Sequence, residues 1–155
     1  MKKVAFIFPG QGSQTIGMGK DFFENNDIAK EMISKASARL DVDFEKLLFE
    51  ENENLGKTEF TQPAILLVSS IANAIFKEKC NIIPEFVLGH SLGEFSALVA
   101  AGAIDYLDAI ELVHRRGLFM TEACSGGGAG MMALVGIDDY AVEKICEEQR
   151  DAGKQ

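Results

Sequence analysis

Between Phe86 and Ala101 the chain sets a serine between two glycines, Gly89-His90-Ser91-Leu92-Gly93, with apolar residues before it and an alanine-rich stretch after it. G-x-S-x-G at a strand-to-helix junction is what a nucleophile elbow requires. The glycines permit a sharp turn, and Ser91 then stands at a helix N-terminus. Unpaired N–H groups and the positive end of the dipole favour a developing oxyanion there. The chemistry this predicts is acyl transfer through an acyl-serine, with Ser91 as nucleophile. The competing reading of Ser91 is an ordinary helix N-cap after a βα turn. Acyl-serine chemistry also needs a general base, and only two histidines exist. His90 adjoins Ser91 at a tight turn, where neighbouring side chains point apart. It is expected to pack or hydrogen-bond behind the elbow. His114 lies two positions before Arg116, about 200° around a helix, so it faces away wherever Arg116 faces the site. A complete Ser–His machine is not encoded in these residues.

A second feature is Pro9-Gly10-Gln11-Gly12-Ser13-Gln14, directly after an apolar run. Ligands of open α/β folds gather at such strand ends. A nucleotide-binding reading fails on spacing. The dinucleotide fingerprint needs a glycine where Thr15 stands, and the P-loop needs a lysine where Met18 stands. The loop's remaining task is to bring a backbone N–H to the elbow, so Gln11 is the candidate second oxyanion donor beside the N–H of Leu92. Otherwise it is a glycine-rich connection that starts a helix.

Arg116 is the third. On a helix from Tyr106, Arg115 lines up with Asp108 and Glu111 as a solvated charged face. Arg116 instead lines up with Ala109, Leu112, Val113, Phe119 and Met120. No acid of that helix shares this margin, and a buried unpaired charge costs several kcal/mol (roughly 3–5 when a partner is lost). A substrate carboxylate gripped by the planar fork is one solution. A stem along the core with its head in water is the other.

The elements that must position these groups follow from pattern and punctuation. Val4 to Phe8 reads as a first strand, wholly apolar and so covered on both faces as in a parallel sheet. Helices are expected near Lys20 to Glu24, over Asp27 to Leu40 with an Ile28, Met32, Ala36, Leu40 stripe, and from Phe44 to Glu50. Thr61 can cap the next helix, with Pro63 in its first turn, running to about Lys79. The second strand is Phe86 to Leu88. The elbow helix runs from Phe95 to about Ala101 and is ended by Gly102. Asp105 can cap a helix from Tyr106 to about Ala123. Ser125-Gly-Gly-Gly-Ala-Gly130 is the clearest linker, followed by a strand over Met131 to Val135 and an amphipathic helix over Asp138 to Gln149. The organisation predicted is an α/β core over 1–125, a glycine hinge at 126–130 and the start of a smaller domain over 131–155. A lone strand has no sheet to join, so the chain reads as truncated inside that second domain.

With 155 residues, 47% apolar and 25% charged, the composition is that of a soluble globular protein with one real core. A net charge of −9 argues against non-specific binding to nucleic acid or anionic membrane. Three scattered cysteines build neither a disulfide framework nor a metal site, and the default setting is a reducing cytoplasm. The opening Met1-Lys-Lys ahead of five apolar residues is too short for a secretory signal. Thr61 to Phe76, the longest uncharged stretch, is too short and polar to span a bilayer and reads as a buried helix.

Taken together, Phe8-Pro-Gly-Gln-Gly-Ser-Gln14, Thr61-Gln-Pro-Ala64, Gly89-His-Ser-Leu-Gly-Glu94, Arg116-Gly-Leu-Phe-Met120 and Gly130-Met-Met-Ala-Leu-Val-Gly136 resemble the malonyl-CoA:acyl carrier protein transacylase family, in unbroken order from the first residue to about residue 150. Acyltransferase domains of polyketide synthases share much of the pattern. The resemblance implies Ser91 as the acylated serine, Gln11 and Leu92 as oxyanion donors and Arg116 as the grip on the malonyl carboxylate. Gln62, Met120 and His90 join Arg116 as residues of the substrate pocket. It implies an α/β-hydrolase-like domain with an inserted ferredoxin-like domain, the catalytic histidine lying beyond residue 155. The partners implied are malonyl-CoA, an acyl carrier protein of fatty acid biosynthesis and the C-terminal half of the same enzyme. No metal or redox cofactor is implied, since malonyl-CoA is a substrate. The isolated chain is then expected to be inactive. The alternatives are a serine esterase or thioesterase, with water as acceptor, and a non-catalytic fragment.

Overall fold

A computed structural model describes residues 3–125 and 134–151. Two short strands, β1 (Ala5–Phe8) and β2 (Phe86–Gly89), pair in parallel with Phe6 beside Val87 and Phe8 beside Gly89. Between them come α1 (Lys20–Asn25), α2 (Asp27–Leu40), α3 (Phe44–Phe49), a 3₁₀ turn at Asn54–Gly56 and the long α4 (Thr58–Lys79). The elbow helix α5 (Leu92–Ala100) follows β2, then α6 (Tyr106–Ala123) and α7 (Asp139–Asp151). The class is α/β with a parallel pair, as the apolar strands predict.

Only one face of that pair is covered among the described residues, contrary to the expectation for β1. Phe8, with Phe6 and Val87, packs on Ala97 and Ala100 of α5, and Phe6 meets Phe76 of α4 edge-on at 5.2 Å. The opposite face stands bare: Ile7 is 71% exposed, Phe86 65% and Leu88 46%. An apolar strand reveals that it can be buried on both sides. It does not reveal which neighbour supplies the cover.

The main core is built around α4. Leu66, Leu67 and Ile71 are buried against Phe44 and Leu48 of α3, Leu92 of α5, and Ile110 and Val113 of α6. Every residue from Thr61 to Leu67 is buried, as expected of a helix enclosed on all sides. With 22 residues α4 is long and apolar enough to cross a membrane by length and composition, so it is longer than the uncharged stretch suggested. More than half of its apolar window is nonetheless buried inside the protein.

Two helices differ in detail from their patterns. In α2 the buried stripe is Ala29, Ile33 and Ala36, with Ile28 and Met32 half-buried beside it. Small alanines set the close contact, which an apolarity count centred one residue away. Helix α4 starts at Thr58, so Thr61 is inside it. Rather than capping, the Thr61 hydroxyl reaches back to the carbonyls of Leu55 (2.6 Å) and Lys57 (2.9 Å). Pro63 then lies in the second turn, where its missing N–H leaves the Glu59 carbonyl without the partner an α-helix would give it.

Other ends follow their residues. Asp105 caps α6 through the Leu107 N–H at 2.8 Å. Gly102, at φ 75°, ends α5 in a Schellman motif: Ala103 N–H donates to Leu98 O (2.9 Å) and Gly102 N–H to Val99 O (3.0 Å). Arg39 of α2 ties Asp108 and Glu111 of α6, and Arg115 joins Glu111. Hydrogen bonding from Arg39 holds the Glu111 carboxyl below the ordinary glutamate range.

The described chain divides into two compact units, Met1–Thr121 and Glu122–Gln155. In the second, α7 is capped by Asp138, which accepts from Tyr140 N–H at 2.8 Å. The glycine hinge at 126–130 and the first three residues of the expected strand lie outside the described residues. Leu134 and Val135, its remaining two, are not in a strand.

Candidate active site

Ser91 sits between β2 and α5 with φ 52° and ψ −103°, a positive-φ conformation outside the left-handed helical region that a side chain resists. Two close approaches hold the turn. A Cβ on Gly89 would collide with the carbonyl of Gly93, and one on Gly93 would run into the Phe8 carbonyl and lie 2.9 Å from Pro9 O. Gly93 therefore lets the start of α5 rest on the end of β1, while the Gly93 and Glu94 amides bond to the carbonyls of His90 (2.9 Å) and Ser91 (3.2 Å). The strand–turn–helix predicted from G-x-S-x-G is present, and the helix begins at Leu92 itself. Ser91 occupies the N-cap position of α5 but makes no capping bond with its side chain.

The Leu92 side chain is buried, and among the described residues no backbone carbonyl takes its N–H. The Pro9–Gly19 loop abuts the elbow. A Cβ on Gly10 would stand 2.6 Å from His90 O, and His90 N–H donates to Phe8 O at 3.4 Å. Gln11 is thus the next residue along from a backbone contact with the elbow. Its side chain donates to Thr58 Oγ1 at 3.2 Å, fastening the loop to the first turn of α4.

Arg116 closes the constellation. Its Nη2 donates to Ser91 Oγ at 3.1 Å, and its Nη1 donates to Gln62 Oε1 at 2.6 Å. The guanidinium lies 5.7 Å from the centre of the Phe95 ring. Gln62 is fully buried and passes its own N–H to Met120 Sδ at 3.3 Å. Among the described residues Arg116 has no carboxylate partner. Arg116 is half-buried, with its guanidinium turned toward the serine.

The remaining residues divide clearly. Ser91, Arg116, Gln62 and Met120 form one connected set; Leu92 follows Ser91 in the chain, and the Gln11 side chain bonds Thr58 rather than a member of it. His90 is exposed, with its ring beside Gly10 and no side-chain hydrogen bond among the described residues. His114 faces the other way, as its spacing predicts, and Nδ1 lies 2.7 Å from Glu59 O. Because a carbonyl can only accept, Nδ1 carries the proton. Phe95 and Thr58 were not legible as site residues. An aromatic one turn after the serine was a usable signal for Phe95, whereas nothing in sequence links position 58 to position 11. Among the described residues no cluster of His, Cys, Asp and Glu could hold a metal ion.

Residues 5–151 match the acyl transferase domain family. Malonyl CoA-acyl carrier protein transacylase of Staphylococcus aureus is 45% identical over 148 residues, 95% of this chain and 47% of its own length. The protein of the same name in Bacillus subtilis is 44% identical over 99% of this chain and 48% of its own. Among solved structures, the Helicobacter pylori malonyl-CoA:acyl carrier protein transacylase superposes with a TM-score of 0.89 at 47% identity, covering 96% of this chain and 48% of its own. A malonyl-transacylase solved in complex with a type II polyketide acyl-carrier protein superposes at 0.83 with 37% identity, over 95% of this chain and 48% of its own. The chain spans about half the length of the relatives it matches.

Proposed function

The chain belongs to the acyl transferase domain family, and on that footing we propose that it carries the acyl-binding half of a malonyl-CoA:acyl carrier protein transacylase of fatty acid biosynthesis. Ser91 Oγ attacks the thioester carbonyl of malonyl-CoA while its proton passes to a base. The C–S bond breaks, and CoA leaves as the thiol after taking up a proton. The phosphopantetheine thiol of the carrier then attacks the malonyl ester, the C–O bond breaks and the Ser91 hydroxyl is restored. Both tetrahedral intermediates place their oxyanion toward the N–H groups of Leu92 and Gln11, and losing one such donor typically slows a reaction about 10²–10³-fold.

The observation that carries this reading is the guanidinium of Arg116, 3.1 Å from Ser91 Oγ and without a carboxylate partner among the described residues. Its fork suits the free carboxylate of a malonyl group on that serine. Gln62 and Met120 steady it, and His90 flanks the entrance. Neither histidine serves Ser91: His114 is bonded to Glu59 O, and His90 makes no bond to Oγ. The base is therefore assigned to the half of the enzyme that the relatives have beyond their match to this chain. In this reading residues 1–125 belong to an α/β-hydrolase-like core, 126–130 to a hinge and 131–155 to a ferredoxin-like insertion. The enzyme is cytoplasmic, needs no metal or redox cofactor, and binds neither nucleic acid nor membrane.

The test replaces the matching part of the Bacillus subtilis relative with this chain and follows acylation by intact-protein mass spectrometry. Ser91→Ala abolishes loading. Arg116→Ala lowers malonyl loading about 10–100-fold, the worth of a hydrogen bond to a charged group, while acetyl loading holds or rises. Equal loss for both acyl groups would make Arg116 structural and defeat the assignment. Hydrolysis outpacing transfer to the carrier would instead favour a thioesterase. The 155-residue chain alone gives no burst of acyl-Ser91, and a burst would show that it needs no second half.

A further inference from the structure

Helix α6 meets the first turn of α4 around Glu59 from three positions about one turn apart. His114 Nδ1–H donates to the Glu59 carbonyl at 2.7 Å. Gly117 lies so close that a Cβ there would stand 2.5 Å from Glu59 Cα, 2.8 Å from Glu59 N and 2.9 Å from Thr58 O. Thr121 Oγ1 donates to Glu59 Oε2 at 3.3 Å. These three positions, spaced by three and four, form one stripe of α6. The three nearest atoms that a Gly117 side chain would meet all belong to backbone, which cannot swing aside.

The carbonyl that His114 takes is the one that Pro63 leaves orphaned. In an unbroken helix residue 63 would donate its N–H to Glu59 O; proline has none to give. An unmet carbonyl in a packed seam is costly, so the proline creates an acceptor that a side chain of another helix must fill. The residue beside that proline is Gln62, whose carboxamide oxygen holds Arg116. On α6, Arg116 and Met120 reach Gln62 from the positions next to Gly117 and Thr121. The seam around Glu59 and the grip on the guanidinium are thus adjacent faces of the same two helix turns.

We infer that His114 and Gly117 are positioning residues for Arg116. With Pro63 they lock α6 against α4 at one height, and that height places Gln62 opposite the guanidinium and the guanidinium opposite Ser91. Neither residue touches an acyl group. They determine which acyl group is accepted by fixing where its carboxylate partner stands. This inference rests on the malonyl-binding role given above to Arg116. The measurement of guanidinium order below does not depend on that role.

The experiment uses the full chain and two readouts. The first is the NMR signal of the Arg116 guanidinium, which in the native protein is ordered by Gln62. The second is the dissociation constant for malonyl-CoA against that for acetyl-CoA. His114→Phe keeps a ring of similar size without a donor; His114→Gln returns a donor. His114→Phe and Gly117→Ala release the guanidinium signal and weaken malonyl-CoA about tenfold or more, the worth of one hydrogen bond to a charged group, with acetyl-CoA unchanged. His114→Gln restores both toward wild type. Adding Pro63→Ala to His114→Phe returns an N–H to Glu59 O, so it recovers thermal stability but not malonyl preference. Should Gly117→Ala fail to fold, the His114 pair decides alone. An ordered Arg116 signal in folded His114→Phe overturns the inference, as does equal weakening of both ligands. If the wild type fails to tell malonyl-CoA from acetyl-CoA, the reading of Arg116 fails, while the guanidinium signal still judges the seam.

Discussion

The backbone of Ser91 offers the sharpest test of the elbow, through substitution by glycine and by alanine. At φ 52° and ψ −103° the residue occupies a sparsely populated region, which costs a residue bearing a Cβ roughly 1–3 kcal/mol. Glycine escapes that cost but loses about 0.5–1 kcal/mol more backbone freedom on folding. Both variants remove Oγ and with it the Arg116 Nη2 contact, so their difference isolates the backbone. Ser91→Gly should therefore be more stable than Ser91→Ala by about 0.5–2 kcal/mol, or about 1–8 °C in Tm at roughly 2–4 °C per kcal/mol for a domain of this size. Thermal melts and urea titrations followed by circular dichroism measure it, with neither variant able to form an acyl-enzyme. A glycine variant no more stable than the alanine one would mean that the serine carries no strain. The elbow would then be an ordinary turn.

Gly93→Ala forces α5 off the end of β1, since the new methyl runs into the Phe8 carbonyl. Overpacking of this kind costs about 1–3 kcal/mol, read as a lower urea midpoint together with lost acylation. Gly56→Ala, with nothing within 4 Å of the added methyl, is the matched control and should stay within about 0.5 kcal/mol of wild type. For acid, Glu111 sets the sign: Arg39 depresses its folded pKa below the unfolded value, so its contribution is present above the unfolded pKa and fades as pH falls through the folded one. Urea midpoints measured down through the carboxylate range should drop on the acid side, and Glu111→Gln should lower the neutral midpoint and flatten that drop.

Where function depends on local geometry, the chain was readable. Ser91 between close-packed glycines, Asp105 ahead of α6 and Gly102 behind α5 each act through backbone within a few residues, so type and spacing carry the information. Legibility failed where a distant partner decides. Helix α4 begins three residues before Thr61 because Lys57, Thr58 and Glu59 are held by the 3₁₀ turn and by α6, neither of which leaves a cap in the sequence. Arg116 could be placed on an apolar margin by periodicity, but its bond to Gln62, 54 residues away, could not be read from the sequence. His114 was correctly turned from the serine and yet had no visible task, since its acceptor exists only because Pro63 sits in the second turn of another helix. The coverage of β1 was overestimated for a related reason: apolar composition is a capacity for burial, and the neighbours realise it or do not.

The uncovered side of the parallel pair also governs how the polypeptide behaves as a colloid. Ile7, Phe86 and Leu88 present water with a greasy strip, while the excess of nine negative charges keeps copies apart. Dilute buffers preserve that repulsion. Added electrolyte screens it within about 10 Å at 0.1 M, and sulfate or phosphate further strengthens adhesion between the strips. The material should thus stay monodisperse at low ionic strength and salt out early, in the order set by those anions.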